Sequence, residues 1–342
     1  MKQFLTCTLL SLTSAALTLQ SPLDHPNPDT INNANTNPIT NMKTNQEPKT
    51  GNPILPGWYA DPEARLFDSS LWIYPTYSAP YETQTFFDAF SSPDLLTWTK
   101  HPRVLEFGGI PWSTGRAAWA PSVIRRAATN TNHSSGLGVG DGYDYDYFMY
   151  FSAGDGAGIG VAKSTTRRPE GPYADVLGKP LIPTTVFGAQ PIDAQVFVDD
   201  DERVWLYFGG WSHAVVVELG SDMVSLKGEY LEITPQGVGG WGDDSYGVSY
   251  VTGMSPTGPF TTEPVKILSG NATVGTGTGH NSVLTPDGRD YYIVYHRRPV
   301  NDTERDHRVV CIDRMEFDAE GNILPVVITT EGVDARTLSQ SV

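Results

Sequence analysis

The chain has 342 residues, 39% of them hydrophobic and 18% charged, which suits one or two folded units in water. Its net charge of −16 excludes the basic footprint that nucleic-acid binding needs. In chain order, Lys2, the mildly apolar stretch from Phe4 to Leu19 and the small residues Ser14-Ala15-Ala16 predict an export signal over residues 1–20, hence a secreted protein. That apolar stretch is too short and too interrupted by Thr and Ser to stay in a membrane. Cys7 would leave with the signal, so Cys311 has no intramolecular partner and no disulfide framework forms. Glycosylation sequons at Asn132, Asn271 and Asn301 fit the same route.

Residues 21–50 hold seven Asn, five Pro and no aromatic residue, so they cannot bury enough surface to fold and read as a disordered tail. Composition changes at Asn52-Pro53-Ile54-Leu55, and residues 51–342 form the folded unit. It shows almost no helical periodicity. Short aromatic and β-branched runs alternate with Gly, Pro, Asp and Asn, which predicts an all-β fold.

Three kinds of run recur. One is an aromatic strand: Leu71-Trp72-Ile73-Tyr74-Pro75-Thr76, Tyr147-Phe148-Met149-Tyr150-Phe151-Ser152, Val204-Trp205-Leu206-Tyr207-Phe208-Gly209, and Tyr291-Tyr292-Ile293-Val294-Tyr295-His296. Each follows a strand with a polar head: Ala60-Asp61-Pro62-Glu63, Trp119-Ala120-Pro121-Ser122, Ile192-Asp193-Ala194-Gln195, and His280-Asn281-Ser282-Val283. A third kind begins at Phe86, Ile159 and Tyr246, and two of these lead into a Gly-Pro-aromatic ending, at Gly171-Pro172-Tyr173 and Gly258-Pro259-Phe260. A unit of polar-headed, aromatic and outer strand is a propeller blade, with the heads gathered round a central channel. A β-sandwich competes with any all-β reading, but the repeat favours a five-bladed β-propeller.

Asp61 and Asp193 occupy equivalent heads. Carboxylates gathered at one end of a channel perturb each other's pKa values and suit proton transfer. Other chemistry is missing. There is no G-x-S-x-G elbow, the seven His show no zinc spacing, Gly136 to Gly140 reads as a loop, and Asp199-Asp200-Asp201-Glu202 reads as a hairpin turn.

The opening Asn52-Pro53-Ile54-Leu55-Pro56-Gly57-Trp58-Tyr59-Ala60-Asp61-Pro62 resembles that of glycoside hydrolase family 43. Trp119-Ala120-Pro121-Ser122, Ile192-Asp193-Ala194-Gln195-Val196-Phe197, Gly279-His280-Asn281-Ser282, Tyr295-His296-Arg297-Arg298 and Ile312-Asp313-Arg314-Met315 are similar to that family in the same order. The resemblance implies an inverting glycosidase of arabinofuranoside, xyloside or galactoside linkages in plant cell-wall oligosaccharides and polysaccharides. It implies Asp61 as general base and Asp193 as the carboxylate that orients the acid and raises its pKa. It further implies His280 near a central Ca²⁺ or water, Arg297 as a substrate contact, and Trp119 as a stacking surface for sugar; packing roles compete for all three.

The family's acid, a glutamate heading the fourth inner strand, has no counterpart. Only 14 residues separate Glu232 from Tyr246, too few for two strands and a turn, whereas 25 separate Asp61 from Phe86. The fourth blade is therefore expected to be incomplete. Glu232, Asp243 and Asp244 are the remaining stand-ins for the acid, and none heads an equivalent strand. The expected protein is a secreted, monomeric arabinofuranosidase or xylosidase. A sugar-binding propeller without turnover is the alternative, and a propeller that binds a protein partner the third reading.

Overall fold

The computed structural model describes residues 47–128, 145–234 and 246–338 except 262, together with the backbone of two short N-terminal strands. Residues 21–46 of the expected tail, the loop from Gly136 to Gly140, the sequon at Asn132, and Asp243 and Asp244 lie outside the described residues.

The described chain is all-β apart from three single-turn 3₁₀ helices, and its strands form five sheets. The N-terminal strands are β1 (Gln3–Thr8) and β2 (Ser11–Leu12). A first four-stranded sheet contains β3 (Tyr59–Phe67), β4 (Ser70–Tyr77), β5 (Phe86–Ser92) and β6 (Thr99–Glu106), in that order. A second contains β7 (Trp119–Ala127), β8 (Tyr145–Ala153), β9 (Gly158–Ser164) and β10 (Tyr173–Asp175). A third contains β11 (Gln195–Val198), β12 (Val204–Phe208), β13 (Val215–Leu219) and β14 (Leu226–Glu232). Then follow β15 (Gly247–Gly253) and β16 (Val265–Ser269). The last sheet holds β17 (Thr276–Leu284), β18 (Tyr291–Arg298) and β19 (Val309–Met315). From β3 onward every pairing between these strands is antiparallel and joins chain neighbours, as in a propeller.

Burial explains the composition of the runs. The aromatic strands β4, β8, β12 and β18 are buried almost end to end, because each lies inside its sheet with further sheets against both faces. The outer strands β6 and β14 are mostly exposed and read accordingly as charged and polar. Apolar cores fill the seams between sheets: Phe67, Tyr74 and Phe87 meet Met149 and Phe151, and Tyr150 and Val161 meet Leu206 and Val215. Ile73 and Phe90 meet Val294 and Ile312 across the seam where the ring closes. The turn at Asp199 to Glu202 closes the β11–β12 hairpin as expected, with the Glu202 amide donating to Asp199 O at 2.9 Å.

The fourth position differs from the others. Among the described residues it draws β15 and β16 from the body of the chain, and β1 pairs along the other edge of β15, from Gln3 opposite Gly253 to Thr8 opposite Val248. A strand edge with unpaired N–H and C=O groups takes up any extended segment that can satisfy them. Residues read from the sequence as an export signal are thus placed as strand.

Candidate active site

The strand heads share a backbone device. Asp61, Ala120, Asp193 and His280 all have positive φ, at 47°, 43°, 57° and 40°. Non-glycine residues rarely adopt this left-handed region, and recurrence at four equivalent positions marks a built feature. The pairing register slips directly after three of these heads: between Ala60 and Glu63, Trp119 and Ser122, and Gly279 and Ser282. Such bulges re-aim a side chain at a strand end.

Three of the four heads are also clamped to a neighbouring strand end. The Ala120 amide donates to Thr76 Oγ1 (2.8 Å), the Asp193 amide to Ser152 Oγ (2.8 Å), and the Asp61 amide to His296 Nδ1 (3.1 Å). Thr76, Ser152 and His296 are the last residues of three repeated aromatic runs. The fourth run ends in Gly209, which has no side chain to offer.

Three side chains of the last sheet and its flank surround the Asp61 carboxylate. His296 Nδ1 and Arg308 Nη1 both lie 3.3 Å from Oδ1, and His280 Nδ1 lies 3.6 Å away. Arg308 is itself held by donating through Nε to Ser78 Oγ at 3.0 Å. Burial is the largest single influence and works to raise the Asp61 carboxyl, but the Arg308 guanidinium, with His280 and His296 beside it, together outweighs burial and holds it well below the usual carboxylate range. The two imidazoles stay neutral near pH 7: burial pushes His280 down to about 4 and lowers His296 as well. Asp193 moves the opposite way. Burial, and then the negative charge of Asp61, push its carboxyl well above the usual range. The channel mouth therefore carries one ionised carboxylate and one carboxyl disposed to keep its proton.

Below this layer sits Glu63, 4% exposed. Ser122 Oγ donates to its Oε1 at 3.1 Å and Ser282 Oγ lies 2.9 Å from its Oε2. The Gln195 amide, with its nitrogen turned to Glu63 Oε2 (3.2 Å), presents its oxygen to Arg65 Nη2 (2.7 Å). Arg65 Nη2 pairs with Glu63 Oε1 at 2.6 Å. Residues two positions beyond the other three heads thus converge on the carboxylate two beyond Asp61.

The structure places the other candidates as follows. Trp119 is partly exposed, its Nε1–H donating to Gln84 Oε1 and its ring meeting the Tyr81 edge at 4.7 Å. Arg297 is buried, and its Nη1 donates to Thr329 O (2.9 Å) and the Tyr295 hydroxyl (3.4 Å) rather than reaching the aspartates. Arg308, not Arg297, is the arginine that meets Asp61. Sequence reading passed over Arg308, His296 and Glu63, although Glu63 and His296 stood inside the repeated runs. Glu232 ends β14, the outermost strand of its sheet, with its side chain 49% exposed and 3.7 Å from His213. It is not a channel residue.

Calcium takes six to eight oxygen ligands. His280 offers one nitrogen, with the Asp61 carboxylate 3.6 Å away. Among the described residues no group of three or more His, Cys, Asp or Glu is arranged to hold a metal. These residues do not fit a protein-built Ca²⁺ site, and no step below runs through one.

Known proteins share this architecture. A structure of an arabinoxylan arabinofuranohydrolase from Bacillus subtilis, of glycoside hydrolase family 43 and in complex with cellotetraose, superposes with a TM-score of 0.67 at 25% identity, over 84% of this chain and 71% of that one. The structure of the GH43_1 enzyme from Xanthomonas citri complexed with xylotriose shares the fold, with a TM-score of 0.60 at 23% identity over 84% of this chain and 96% of that one. In sequence, the chain is 65% identical over 315 residues to a β-D-galactofuranosidase, xynD, of Aspergillus niger, spanning 86% of this chain and 90% of the relative. The model of glycosyl hydrolases family 43 matches residues 50–245 and 237–323. With the family model matching most of the chain and a relative at 65% identity, the chain belongs to glycosyl hydrolase family 43 and is a glycosidase.

Proposed function

We propose that this chain is a secreted, inverting, exo-acting furanosidase that trims side chains of plant cell-wall polysaccharides, with Asp61 as general base. The galactofuranosidase relative argues for β-D-galactofuranosides first. α-L-Arabinofuranosides come second, since that sugar has the same ring stereochemistry without the outer carbon. Xylosides come third. Oligosaccharides such as cellotetraose and xylotriose, which solved relatives bind, represent the polymer chain beyond the scissile bond.

The observation that carries the reading is the opposite disposition of the two channel carboxyls. A pair whose environments push their pKa values apart is a base and an acid. Asp61, ionised, takes a proton from water as it attacks the anomeric carbon. Asp193, protonated, gives its proton to the departing glycosidic oxygen. The C–O bond to the leaving group breaks as the bond to water forms, and solvent restores both carboxyls. Asp193 here replaces the glutamate acid that the resemblance leads one to expect. We read the propeller as five-bladed with an incomplete fourth blade, and the two-piece family match that meets over residues 237–245 supports that reading. Trp119 and Arg308 complete the proposed site, and the protein is proposed to act as a monomer.

Kinetics on aryl β-D-galactofuranosides and α-L-arabinofuranosides test the assignment. Asp61→Asn should lower kcat about 10²–10⁴-fold on every substrate. Asp193→Asn should lose a similar factor on substrates with poor leaving groups and little on dinitrophenyl glycosides, which need no proton. Equal losses for Asp193→Asn on both would remove it as the acid. A second reading, sugar binding without turnover, is favoured by the missing acid-bearing strand. It would be adopted if no furanoside or xyloside is cleaved while the oligosaccharides still bind.

A further inference from the structure

Two aromatic side chains stand out on the third sheet. Among the described residues no Trp or Phe is more exposed than Trp211, at 71%, and Phe187, at 55%. Both have positive φ, 55° and 50°, as does Ser212 at 65°. An apolar ring turned into water on a strained backbone has no folding rationale, and such strain persists where function holds it.

The two rings belong to one loop pair. Trp211 lies in the connection from β12 to β13, and Phe187 in the connection leading to β11. The two loops pack tightly: a Cβ on Gly188 would come within 2.9 Å of the His213 ring, and one on Gly210 within 2.8 Å of Ile192. Only glycine permits that approach. The Gly209 amide donates to Ile192 O at 3.0 Å, directly beside Asp193. The loop pair therefore stands at the channel mouth next to one of its two carboxyls.

Polar groups flank the rings. The His213 imidazole is partly exposed, while its Nδ1 is sealed from solvent without a hydrogen-bond partner among the described residues and lies 3.7 Å from Glu232 Oε1. The Glu232 carboxylate, half exposed, accepts one hydrogen bond from Thr234 Oγ1 at 3.2 Å and has lone pairs to spare. Exposed rings with an imidazole and a carboxylate alongside are complementary to a sugar, whose axial C–H face stacks while its equatorial hydroxyls bond sideways.

We propose that Phe187 and Trp211, with His213 and Glu232, form a subsite for a pyranose ring of the polymer chain that carries the scissile side-chain sugar. This rests on the glycosidase reading above and adds where the rest of the substrate lies. The subsite would act on binding and leave the chemistry at Asp61 untouched.

Binding of cellotetraose and of xylotriose, followed by tryptophan fluorescence and calorimetry, tests it beside hydrolysis of aryl furanosides. The expected result is a fluorescence change on binding that Trp211→Ala removes. Trp211→Ala and Phe187→Ala should each weaken binding at least tenfold, with kcat/KM on aryl furanosides within twofold of the parent and the melting temperature unchanged. If the parent binds neither oligosaccharide, or the double variant binds as the parent does, the proposal is overturned whether or not aryl furanosides are cleaved. If binding depends on Trp211 but no aryl furanoside is cleaved, the subsite stands and the catalytic reading falls. Concentration-dependent dimerisation abolished by Trp211→Ala, with oligosaccharide binding intact, would instead mark the rings as a self-association surface and overturn the proposal.

Discussion

Glu63 ties the first sheet to three others through Ser122, Gln195 and Ser282, with Arg65 as its counter-ion. Removing a buried partner of this kind leaves charge and donors uncompensated, which costs about 3–5 kcal/mol. Glu63→Ala should lose that much in denaturant unfolding, and Glu63→Gln, which keeps an acceptor, clearly less. Arg308 makes a separate prediction about pH. A base works only when ionised, so activity falls as pH drops through its pKa. With Arg308 present that acid limb lies below the usual carboxylate range. In Arg308→Gln the largest influence opposing burial is gone, the Asp61 carboxyl rises, and the acid limb of kcat/KM should move to higher pH. Asp193 has the opposite sign. Its raised folded pKa means the native state holds a proton that the unfolded chain releases, so its contribution to stability falls as pH rises from the ordinary carboxylate value through the raised one. Asp193→Asn removes that loss, and thermal melts should show its advantage over the parent growing as pH rises above the ordinary carboxylate range.

At the scale of the strand, the clamps from Thr76, Ser152 and His296 to the next head are the repeated unit. Thr76 is fully buried, and Thr76→Val keeps its shape but leaves the Ala120 amide without an acceptor. That should cost about 1–3 kcal/mol, or about 2–4 °C of melting temperature for each kcal/mol in a domain of this size. Legibility divides at this scale. The strands could be read because their signals are local: aromatic runs buried on both faces and turn residues between them. The equivalence of Asp61 and Asp193 was readable for the same reason, since both begin the same kind of run. Arg308 was not, because it reaches Asp61 across 247 residues and only ring closure brings them together. Arg297, two residues into a recognised motif, turned out to point its guanidinium at Thr329 O, since neighbours on a strand face opposite ways. Glu63 could be seen as polar but not as a hub, because its burial is made by four sheets at once.

Across the whole molecule the seams are unequal. Among the described residues, the seam between the third sheet and β15 rests on Trp205, Tyr207, Ala214, Val216, Ile233 and Val251, a thinner core than Phe67 to Tyr173 provide between the first two sheets. In the chain that keeps residues 1–20, β1 also covers the second edge of β15. Hydrogen exchange should therefore open β15 and β16 before β4 and β8, and faster still once residues 1–20 are removed. Equal protection in all five sheets would contradict this picture.

The ring closes where residues 48–52 run beside residues 330–335. The Thr50 amide donates to Val333 O at 2.8 Å, Asn52 to Thr330 O at 2.9 Å, Ala335 to Pro48 O at 2.8 Å, and Lys49 pairs with Asp334 at 2.7 Å. A short linker could join these two stretches without disturbing either, and the chain could then start elsewhere, for instance between Asp200 and Asp201 in an exposed hairpin turn. Such a circular permutant should fold and keep the channel intact, with the order of the sheets along the gene rotated but their order around the axis the same.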